Sequence, residues 1–262
     1  MPNPPVTPIP LMPGRWRPLG DPESKLFRQR VSDRLTARGG PTTHQPLAHM
    51  KNLRAMPLSF YPGWFLVEGE APVTDDLQGT FDVLYGPGLF WVIDGNSPFL
   101  HQLNAGGVPK DIDAQDSVSS ATTLGTPRVE RLHSPLIELD ETTTGPDYLR
   151  FFCASIWGQE GPFMLVEGLD SPLLVGIDID DKPWLDEIKP LQMTRDGDDL
   201  VGQGVVAYAQ NLFAARFRVK HGMVVMEDDR ELADTELMPQ QFIAPFRHLR
   251  PIAASTQEKG SA

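Results

Sequence analysis

Two glutamates of this chain stand in an identical tetrapeptide, and a pair of carboxylates is what many glycoside-cleaving sites use. The stretch LVEG occurs at residues 66–69 and again at 165–168, which places Glu68 and Glu167 at the ends of two short apolar runs. Neither neighbourhood contains a feature that would raise the pKa of one carboxyl and make it a general acid. A solvated glutamate before a turn glycine is the stronger interpretation, because most carboxylates are exposed.

The single cysteine, Cys153, is a second candidate for chemistry. It lies in FFCASIW, where the apolar spacing predicts a helix with the thiol on its buried stripe. A nucleophilic thiol needs exposure and a lowered pKa, and a helix interior supplies neither. We therefore predict that Cys153 behaves as a small core residue.

Metal and cofactor motifs are missing from the sequence. The run DIDD invites a calcium interpretation, but an EF-hand counted from Asp178 requires Gly and Glu where Pro183 and Lys189 stand. The six histidines show no paired spacing for zinc. The chain also lacks a Walker A loop, a G-x-G-x-x-G turn and a G-x-S-x-G elbow. We predict no metal and no cofactor.

The charge is unevenly distributed along the 262 residues. Residues 1–54 hold nine Lys and Arg against three Asp and Glu, a balance of +6, so the remainder carries −18 of the net charge of −12. An acidic body of this kind repels phosphate, and we expect it to bind no nucleic acid. No apolar run is long enough for a membrane span. With one cysteine and no signal-peptide pattern, we expect a cytoplasmic protein.

The basic N-terminal region, residues 1–62, reads as a proline-rich arm, a helix and a linker. Twelve of the 26 prolines lie here. Asp21 and Pro22 are typical of a helix start, and Gly39 and Gly40 of a helix end. The predicted amphipathic helix has an apolar stripe of Phe27, Val31 and Leu35, which Leu26 widens. Its basic face includes Arg28, Arg30 and Arg34.

This helix has three possible roles that the sequence leaves open. The first is packing of its apolar stripe on the acidic body of its own chain. The second is docking on a partner protein or another anionic surface, and the third is that it belongs to a disordered arm. We take Phe27, Arg28, Arg30, Val31, Arg34 and Leu35 as candidate binding residues.

Beyond the linker, strand patterns dominate. WFLVEG, TFDVLYG and GLFWVIDG predict an antiparallel meander in a first unit, residues 63–127, which ends in a turn-rich loop from about residue 104. A second unit, residues 128–250, begins with a helix near Pro146 that stops at Gly158. A short helix opens at Pro183. Residues 251–262 are predicted to form a disordered tail.

The clearest predicted strand runs from Leu212 to Lys220, with strict period-two alternation. If His221 and Gly222 form a two-residue turn, Val219 pairs with Val224, and Phe217 pairs with Met226 in the core. The same register predicts that Arg216 lies opposite Glu227 on the solvent side.

The two halves also share an ordered pattern. After each LVEG comes V-x-Y-x-x-x-L-F, at residues 83–90 and 206–213. This favours an α+β fold of two β-rich α+β units in tandem, with a divergent duplication as one explanation. In the second unit, the order of helix, strand, short helix and meander resembles cystatin-like and NTF2-like domains. That resemblance implies a curved sheet wrapped around a helix and does not specify a function.

The sequence favours a non-catalytic cytoplasmic binding or adaptor protein, whose basic arm engages a protein partner or a second copy of the chain. The alternative is an enzyme or a small-ligand binder with a pocket in the concavity of one sheet. Four aromatic residues are the candidate lining of that pocket: Tyr85, Trp91, Trp157 and Tyr208.

Overall fold

The computed structural model describes residues 9–38, 49–86, 89–95, 137–232, 235–237 and 241–252. Its α-helices are α1, Asp21–Arg38, and α2, Thr144–Ser155. The strands in chain order are β1 Arg17–Pro18, β2 Lys51–Pro57, β3 Phe65–Pro72, β4 Leu77–Gly86, β5 Leu89–Val92, β6 Trp157–Gly158, β7 Gly161–Pro162, β8 Met164–Val166, β9 Gln192–Asp196, β10 Asp199–Tyr208, β11 Asn211–Lys220, β12 Met223–Glu231, β13 Phe242–Ile243 and β14 Phe246–Pro251. Two 3-10 helices cover Pro172–Leu174 and Pro183–Glu187.

The predicted α+β class is wrong, because the described residues form mainly β-structure. They contain fourteen strands in three antiparallel sheets, against two α-helices. Part of the error lies in the predicted linker, which contains β2. The strand KNLRAMP was hidden because it begins with the exposed polar pair Lys51 and Asn52 and places the buried Ala55 next to the buried Met56, so a clear alternation of apolar and polar residues is missing.

Sheet 1 has seven strands in the order β1-β2-β3-β4-β14-β13, with β5 also paired to β4. The meander of β3, β4 and β5 is antiparallel, as predicted. The strand β14 comes from the end of the second predicted unit, yet it pairs with β4 of the first, with Arg247 opposite Thr80. Pro251, the first residue of the predicted tail, still pairs with Leu77. The ends of the described chain therefore meet in one sheet.

Helix α1 covers one face of sheet 1. Phe27 and Val31 are buried in a cluster with residues of the sheet, including Val67, Phe81 and Val83. The helix start is stabilised by Glu23, whose carboxylate accepts a hydrogen bond from the Gly20 backbone N–H at 3.0 Å. Leu26, which widens the predicted stripe, is 54% exposed. The described contacts of the helix with the sheet therefore follow a narrower stripe than the sequence predicts.

Sheet 2 has five strands in the order β12-β11-β10-β8, with β9 paired to β10 beside β8. Alternation along β10 gives it two different faces. Leu200 and Val206 face a core that includes Leu149 of α2, whereas Val205 and Ala207 pack with Trp184 of the second 3-10 helix. The helix α2 itself closely matches the predicted helix near Pro146.

The main core joins the two predicted units. Besides residues of sheet 2 and α2, it contains Leu66 and Leu84 of sheet 1 and Leu11 and Met12 of the N-terminal segment. Sheet 1 thus presents its second face, through Leu66 and Leu84, to the core that sheet 2 and α2 also line. The second half is accordingly not a cystatin-like or NTF2-like unit standing in tandem with a first one.

The two LVEG segments both form strands that pair with the V-x-Y strand of their own half. Their registers differ, because Val83 lies opposite Val67 in the first half and Val206 lies opposite Leu165 in the second. The predicted loop from residue 104 to residue 127 lies outside the described residues.

The predicted hairpin after β11 is confirmed. His221 and Gly222 have φ angles of 50° and 80°, which a two-residue turn of this type requires. Phe217 lies opposite Met226. A register shift then places Arg216 opposite Asp228, but Arg216 still donates to its predicted partner Glu227 at 3.0 Å. Phe217 is buried and Met226 is 49% exposed, so the core placement predicted for Met226 is wrong. β12 lies at the edge of the sheet, where the buried layer ends.

The packing of α1 predicts different costs for two adjacent truncations. Phe27→Ala should lower the free energy of unfolding by about 3–5 kcal/mol, because it removes a ring that is only 5% exposed. Leu26→Ala should cost less than about 1 kcal/mol, since that side chain already lies mostly in water. Urea unfolding of both variants tests this, and equal losses would contradict the position of the helix.

Candidate functional site

A fully buried arginine connects three parts of sheet 1. Arg247 of β14 donates from Nε to Asp82 Oδ2 at 2.6 Å and from Nη2 to Glu68 Oε2 at 2.5 Å. Asp82 and Glu68 lie directly opposite each other on β4 and β3. Their side chains share a face because strand alternation sends Val67 and Val83 to the α1 side.

Further charged residues extend this buried charge cluster. Arg54 of β2 donates from Nε to Glu68 Oε1 at 2.7 Å, and the Arg54 guanidinium lies 5.0 Å from the centre of the Trp16 ring. Glu70 binds Arg250 of β14 and accepts a hydrogen bond from Asn52 at 2.6 Å. We refer to Arg54, Glu68, Glu70, Asp82, Arg247 and Arg250 as the charge cluster.

The N-terminal segment lies against the charge cluster. The Ile9 carbonyl oxygen accepts a hydrogen bond from Arg247 Nη1. Trp16 donates from Nε1 to the Met12 carbonyl at 3.1 Å, which folds the segment back on itself before β1. Leu11 and Met12 enter the main core between these two contacts. The predicted arm is therefore packed onto the body over its described residues 9–33.

The electrostatics of the charge cluster are balanced, with three arginines and three carboxylates. Burial alone lowers the pKa of Arg247, but Asp82 and Glu68 outweigh it, and the net pKa is raised. Burial raises the pKa of Glu68, and Arg247 opposes this shift. Charges in a low-dielectric interior are costly unless each is paired and hydrogen-bonded, as they are here. The net pKa of Glu68 is raised. Glu68 is only 2% exposed, so the solvated position predicted for it is wrong. The arrangement holds β3, β4 and β14 together.

His248 lies beside the charge cluster with a φ of 50°. Burial lowers its pKa to about 3, and the charge of Arg247 acts in the same direction. Its Nε2 atom has no hydrogen-bond partner among the described residues. A buried imidazole of this kind is neutral at pH 7 and cannot gain a proton without a cost to stability.

The second LVEG glutamate occupies a different environment. Glu167 accepts hydrogen bonds from Arg150 Nε at 2.7 Å, from Arg150 Nη2 at 2.8 Å and from the Leu191 backbone N–H at 2.8 Å. Burial raises the pKa of Glu167, but these contacts outweigh it and the net pKa is lowered. Glu68 and Glu167 each have an arginine of their own and do not form the paired carboxylates of a glycosidase.

A cavity of about 310 Å³ lies beside the Arg150–Glu167 pair. One wall is the N-terminal segment, residues 9–13, and the other is formed by β8 and the 3-10 helix that follows it. Most of its lining side chains are apolar, with Asp170 and Ser171 on the same side as Glu167.

A larger groove of about 870 Å³ lies on the outer face of sheet 2, which we call the sheet 2 groove. Its floor consists of small and medium side chains, among them Val201, Gln203, Val205 and Ala214. Its charged lining residues are Glu187, Lys189, Arg195, Asp196, Arg216, Asp228 and Arg230. Both signs of charge are present.

The structure places the predicted binding residues of α1 mainly against their own chain. Phe27 and Val31 are buried, and the Phe27 ring lies 5.2 Å from the Tyr85 ring. Arg28 donates to the Met50 carbonyl at 3.4 Å and Arg30 donates to the Tyr85 hydroxyl. Arg34 and Leu35 belong to the last turns of α1, where only the backbone is described.

The four predicted pocket aromatics do not form one pocket. Tyr85 contacts α1, and Tyr208 stacks on Phe163 with ring centres 4.2 Å apart. Trp157 meets Phe242 edge-on at 5.8 Å, and Trp91 packs against the main core. None of the four lines the cavity or the sheet 2 groove. All four side chains are half-buried in contacts within their own chain.

Cys153 is buried in α2, and burial raises its pKa to about 12. A thiol with this pKa is protonated at neutral pH and is a poor nucleophile. Across the described ranges, no three His, Cys, Asp or Glu side chains are grouped so that they could hold a metal ion.

The sequence analysis missed the charge cluster. Two signals were present: Asp82 interrupts the apolar run TFDVLYG, and Arg247 and Arg250 each follow an apolar residue in FRHLR. A lone acid inside an apolar strand is a candidate for a buried ion pair, because a buried charge must be compensated. Its partners could not be identified, since Arg247 is 165 residues away in the chain.

Comparisons with models of protein families, with curated proteins and with solved structures found no match to this chain. Neither helix in the described part of the chain has the length and hydropathy that a membrane crossing requires.

The charge cluster predicts a large effect of removing its central cation. Arg247→Ala should reduce the free energy of unfolding by about 3–5 kcal/mol, because Glu68 and Asp82 would remain buried without their main partner. The control is Arg230→Ala, which breaks an exposed pair with Glu187 and should cost less than about 1 kcal/mol.

Combining Arg247→Met with Glu68→Gln and Asp82→Asn should restore most of the lost stability, because neither carboxylate remains buried as an unpaired charge and Arg54, which loses Glu68, is partly exposed. Chemical denaturation measures the free energy of unfolding of Arg247→Ala, of Arg230→Ala and of the triple variant. Similar losses for Arg247→Ala and Arg230→Ala would show that the cluster is hydrated rather than buried.

His248 predicts a pH dependence of stability. Its folded pKa of about 3 is below the unperturbed 6.5, so the unfolded chain binds the proton first as the pH falls. The contribution of the neutral His248 side chain to the free energy of unfolding is therefore complete above about pH 6.5. It is lost as the pH falls from about 6.5 to about 3. The free energy of unfolding cannot change by more than about 1.4 kcal/mol per pH unit through this group, and partial exposure of the His248 side chain reduces the change.

The test is His248→Asn, which retains a residue that tolerates positive φ and removes the titration. Urea unfolding between pH 4 and pH 7 should show a flatter dependence than the unsubstituted protein. His221→Asn is the matched control, because His221 has the same φ of 50° but is exposed. An unchanged slope for His248→Asn would contradict the assignment.

Proposed function

We propose that this protein is a non-catalytic binding protein whose partner is a polypeptide, and that the partner lies in the sheet 2 groove. The observation that carries the proposal is the form of that groove. It has a volume of about 870 Å³, near the upper end of the range for small-ligand sites, and it follows the outer face of the strands. An extended chain segment fits such a surface better than a compact small molecule does.

The floor of the groove supports this assignment. Val201, Val205 and Ala214 form a floor without large side chains that would block a bound backbone, and Val201 and Val205 are themselves buried in the fold. Gln203 lies among them and is exposed, so its amide is available as a donor and an acceptor. This combination can contact both the side chains and the peptide groups of a bound segment.

The rim explains how a charged partner would be accommodated. Arg230 pairs with Glu187 at 2.8 Å, and Arg195 pairs with Glu141 at 2.6 Å. All four side chains are at least one-third exposed. Exposed ion pairs contribute little to stability, so a partner that supplies its own charges can replace one member at small cost. Residues of both signs at the rim favour a partner segment of mixed charge.

The groove is a better candidate than the basic arm. The apolar residues Phe27 and Val31 are already buried on sheet 1, and Arg28 and Arg30 already donate to their own chain. Arg17 and Arg54 pair with Glu23 and Glu68. Docking through the arm would first have to break these contacts.

The small-ligand alternative rests on the cavity beside the Arg150–Glu167 pair. Its volume of about 310 Å³ is at the lower limit for ligand sites. Because Arg150 and Glu167 satisfy each other with two hydrogen bonds, neither has to recruit a ligand group. We therefore prefer the polypeptide partner.

We further propose that the binding takes place in the cytoplasm. The free, buried Cys153 is the only cysteine of the sequence, as suits a reducing compartment. The net charge of −12 argues against nucleic acid as the partner of the body.

The test uses a random linear peptide library displayed on phage and selected on the full-length protein. Selected peptides, resynthesised with a fluorophore, should bind in fluorescence polarisation. Gln203→Trp, which fills the centre of the groove, should weaken binding at least tenfold, equivalent to about 1.4 kcal/mol. Gln29→Trp on the exposed side of α1 should have no effect.

Two results would refute the proposal. One is a selection that enriches no peptide. The other is a set of peptides that bind the Gln203→Trp and Gln29→Trp variants equally well, which would place their site elsewhere.

A further inference from the structure

The strand β12 stands at the edge of sheet 2. Its inner side pairs with β11 over its length, and within the described ranges no strand pairs with its outer side. A nine-residue edge leaves a row of backbone N–H and C=O groups available to another chain.

The two halves of β12 differ in chemistry. The first four residues are MVVM, and the last five, EDDRE, are all charged. In the apolar half, Met223 is 41% exposed, Val225 is 46% exposed and Met226 is 49% exposed. Natural proteins protect their edges with charges and bulges, and here that protection covers only the second half, beyond the register shift at residues 216 and 217.

We propose that β12 pairs in antiparallel orientation with β12 of a second copy of this chain, about a two-fold axis that passes through Val225. A symmetric pairing of this kind is closed, so it produces a dimer rather than a fibre. It goes beyond the proposed function and does not depend on it, because the groove lies on the face of the sheet and the pairing uses its edge.

The register follows from which side chains share a face. Val224 is buried on the core side and pairs with Val219, and Met226 pairs with Phe217 on the same side. With Val225 opposite itself, Val224 of each copy lies opposite Met226 of the other, which covers the exposed thioether. Moving the axis to Val224 places Met226 opposite a glycine, and moving it to Met226 places Val225 opposite Glu227.

Charge complementarity identifies the second copy as the occupant. In the proposed register, the acidic residues Asp228 and Asp229 lie beside the hairpin tip of the second copy, which carries Lys220 and His221. The acidic halves of the two strands point away from each other, so their like charges are separated. A strand from an unrelated protein would need the same combination of an apolar centre and a basic end.

The pairing would also join the two copies of sheet 2 into one continuous sheet. A two-fold axis perpendicular to the sheet keeps the outer faces on the same side. The two sheet 2 grooves, which Asp228 and Arg230 of β12 help to line, would then be neighbours.

The first experiment measures the mass of the full-length chain by sedimentation velocity over a range of concentrations. We expect a dimer of twice 29.0 kDa. Val225→Lys should raise the dissociation constant at least a hundredfold, because it places two like charges at the axis. Val175→Lys is the matched control, since Val175 is 70% exposed and is not part of β12, so this change should leave the dimer intact. Thermal unfolding of both variants confirms that they remain folded.

The second experiment tests the register by disulfide formation under mild oxidation. Val225→Cys should give a covalent dimer, because residue 225 lies opposite itself. Met223→Cys should not, since the two cysteines would be four residues out of register, about 13 Å apart and beyond the reach of a disulfide.

Three outcomes would overturn the inference. A monomeric wild-type chain at all concentrations excludes the dimer. A dimer that Val225→Lys does not weaken places the interface elsewhere. Cross-linking of Met223→Cys in preference to Val225→Cys shows that the edge is used in another register, or by another protein's strand with only transient self-contact.

Discussion

The hydrogen-bonded ion pair between Arg247 and the two carboxylates of Asp82 and Glu68 is the constraint on which the rest of sheet 1 depends. A fully buried guanidinium is tolerated only if its donors find acceptors, and these acceptors lie on β3, on β4 and on the backbone of Ile9. The last described strand and the first described segment are therefore held at the same place. With the ends of the chain fixed there, α1 is brought over one face of the sheet, where Phe27 closes the apolar layer.

Sheet 2 follows a different principle, because its two faces meet different surroundings. The face that bears Leu200 and Val206 is buried by α2 and by residues of sheet 1. The other face is covered near Ala207 by the second 3-10 helix and is open near Gln203, where the groove lies. A partner that binds there would contact strands whose positions are fixed by the packing of the opposite, buried face. Binding in the groove would require no rearrangement of the core.

Charged residues form two kinds of ion pair in this chain, which the net charge alone does not distinguish. Inside sheet 1, arginines neutralise carboxylates that could not otherwise be buried, as with Arg54 and Glu68. On sheet 2, ion pairs such as Arg230 with Glu187 lie in water and are readily exchanged. From the basic N-terminal region, Arg54 forms a pair of the first kind, whereas Arg17 pairs with Glu23 in water.

By itself, the sequence determined the local elements whose signals are local: the α1 start, α2, the β11 alternation and the hairpin at His221, since periodicity and turn chemistry act over a few residues. It did not determine the fold class, because β2 lacks a clear alternation of apolar and polar residues and because β14 pairs with a strand of the other predicted unit. Only the tertiary structure brought Arg247 to Asp82, 165 residues apart, and showed that the predicted aromatics Tyr85 and Tyr208 pack within the fold. Pairing between distant strands is set by the closure of the whole sheet, which no local pattern records.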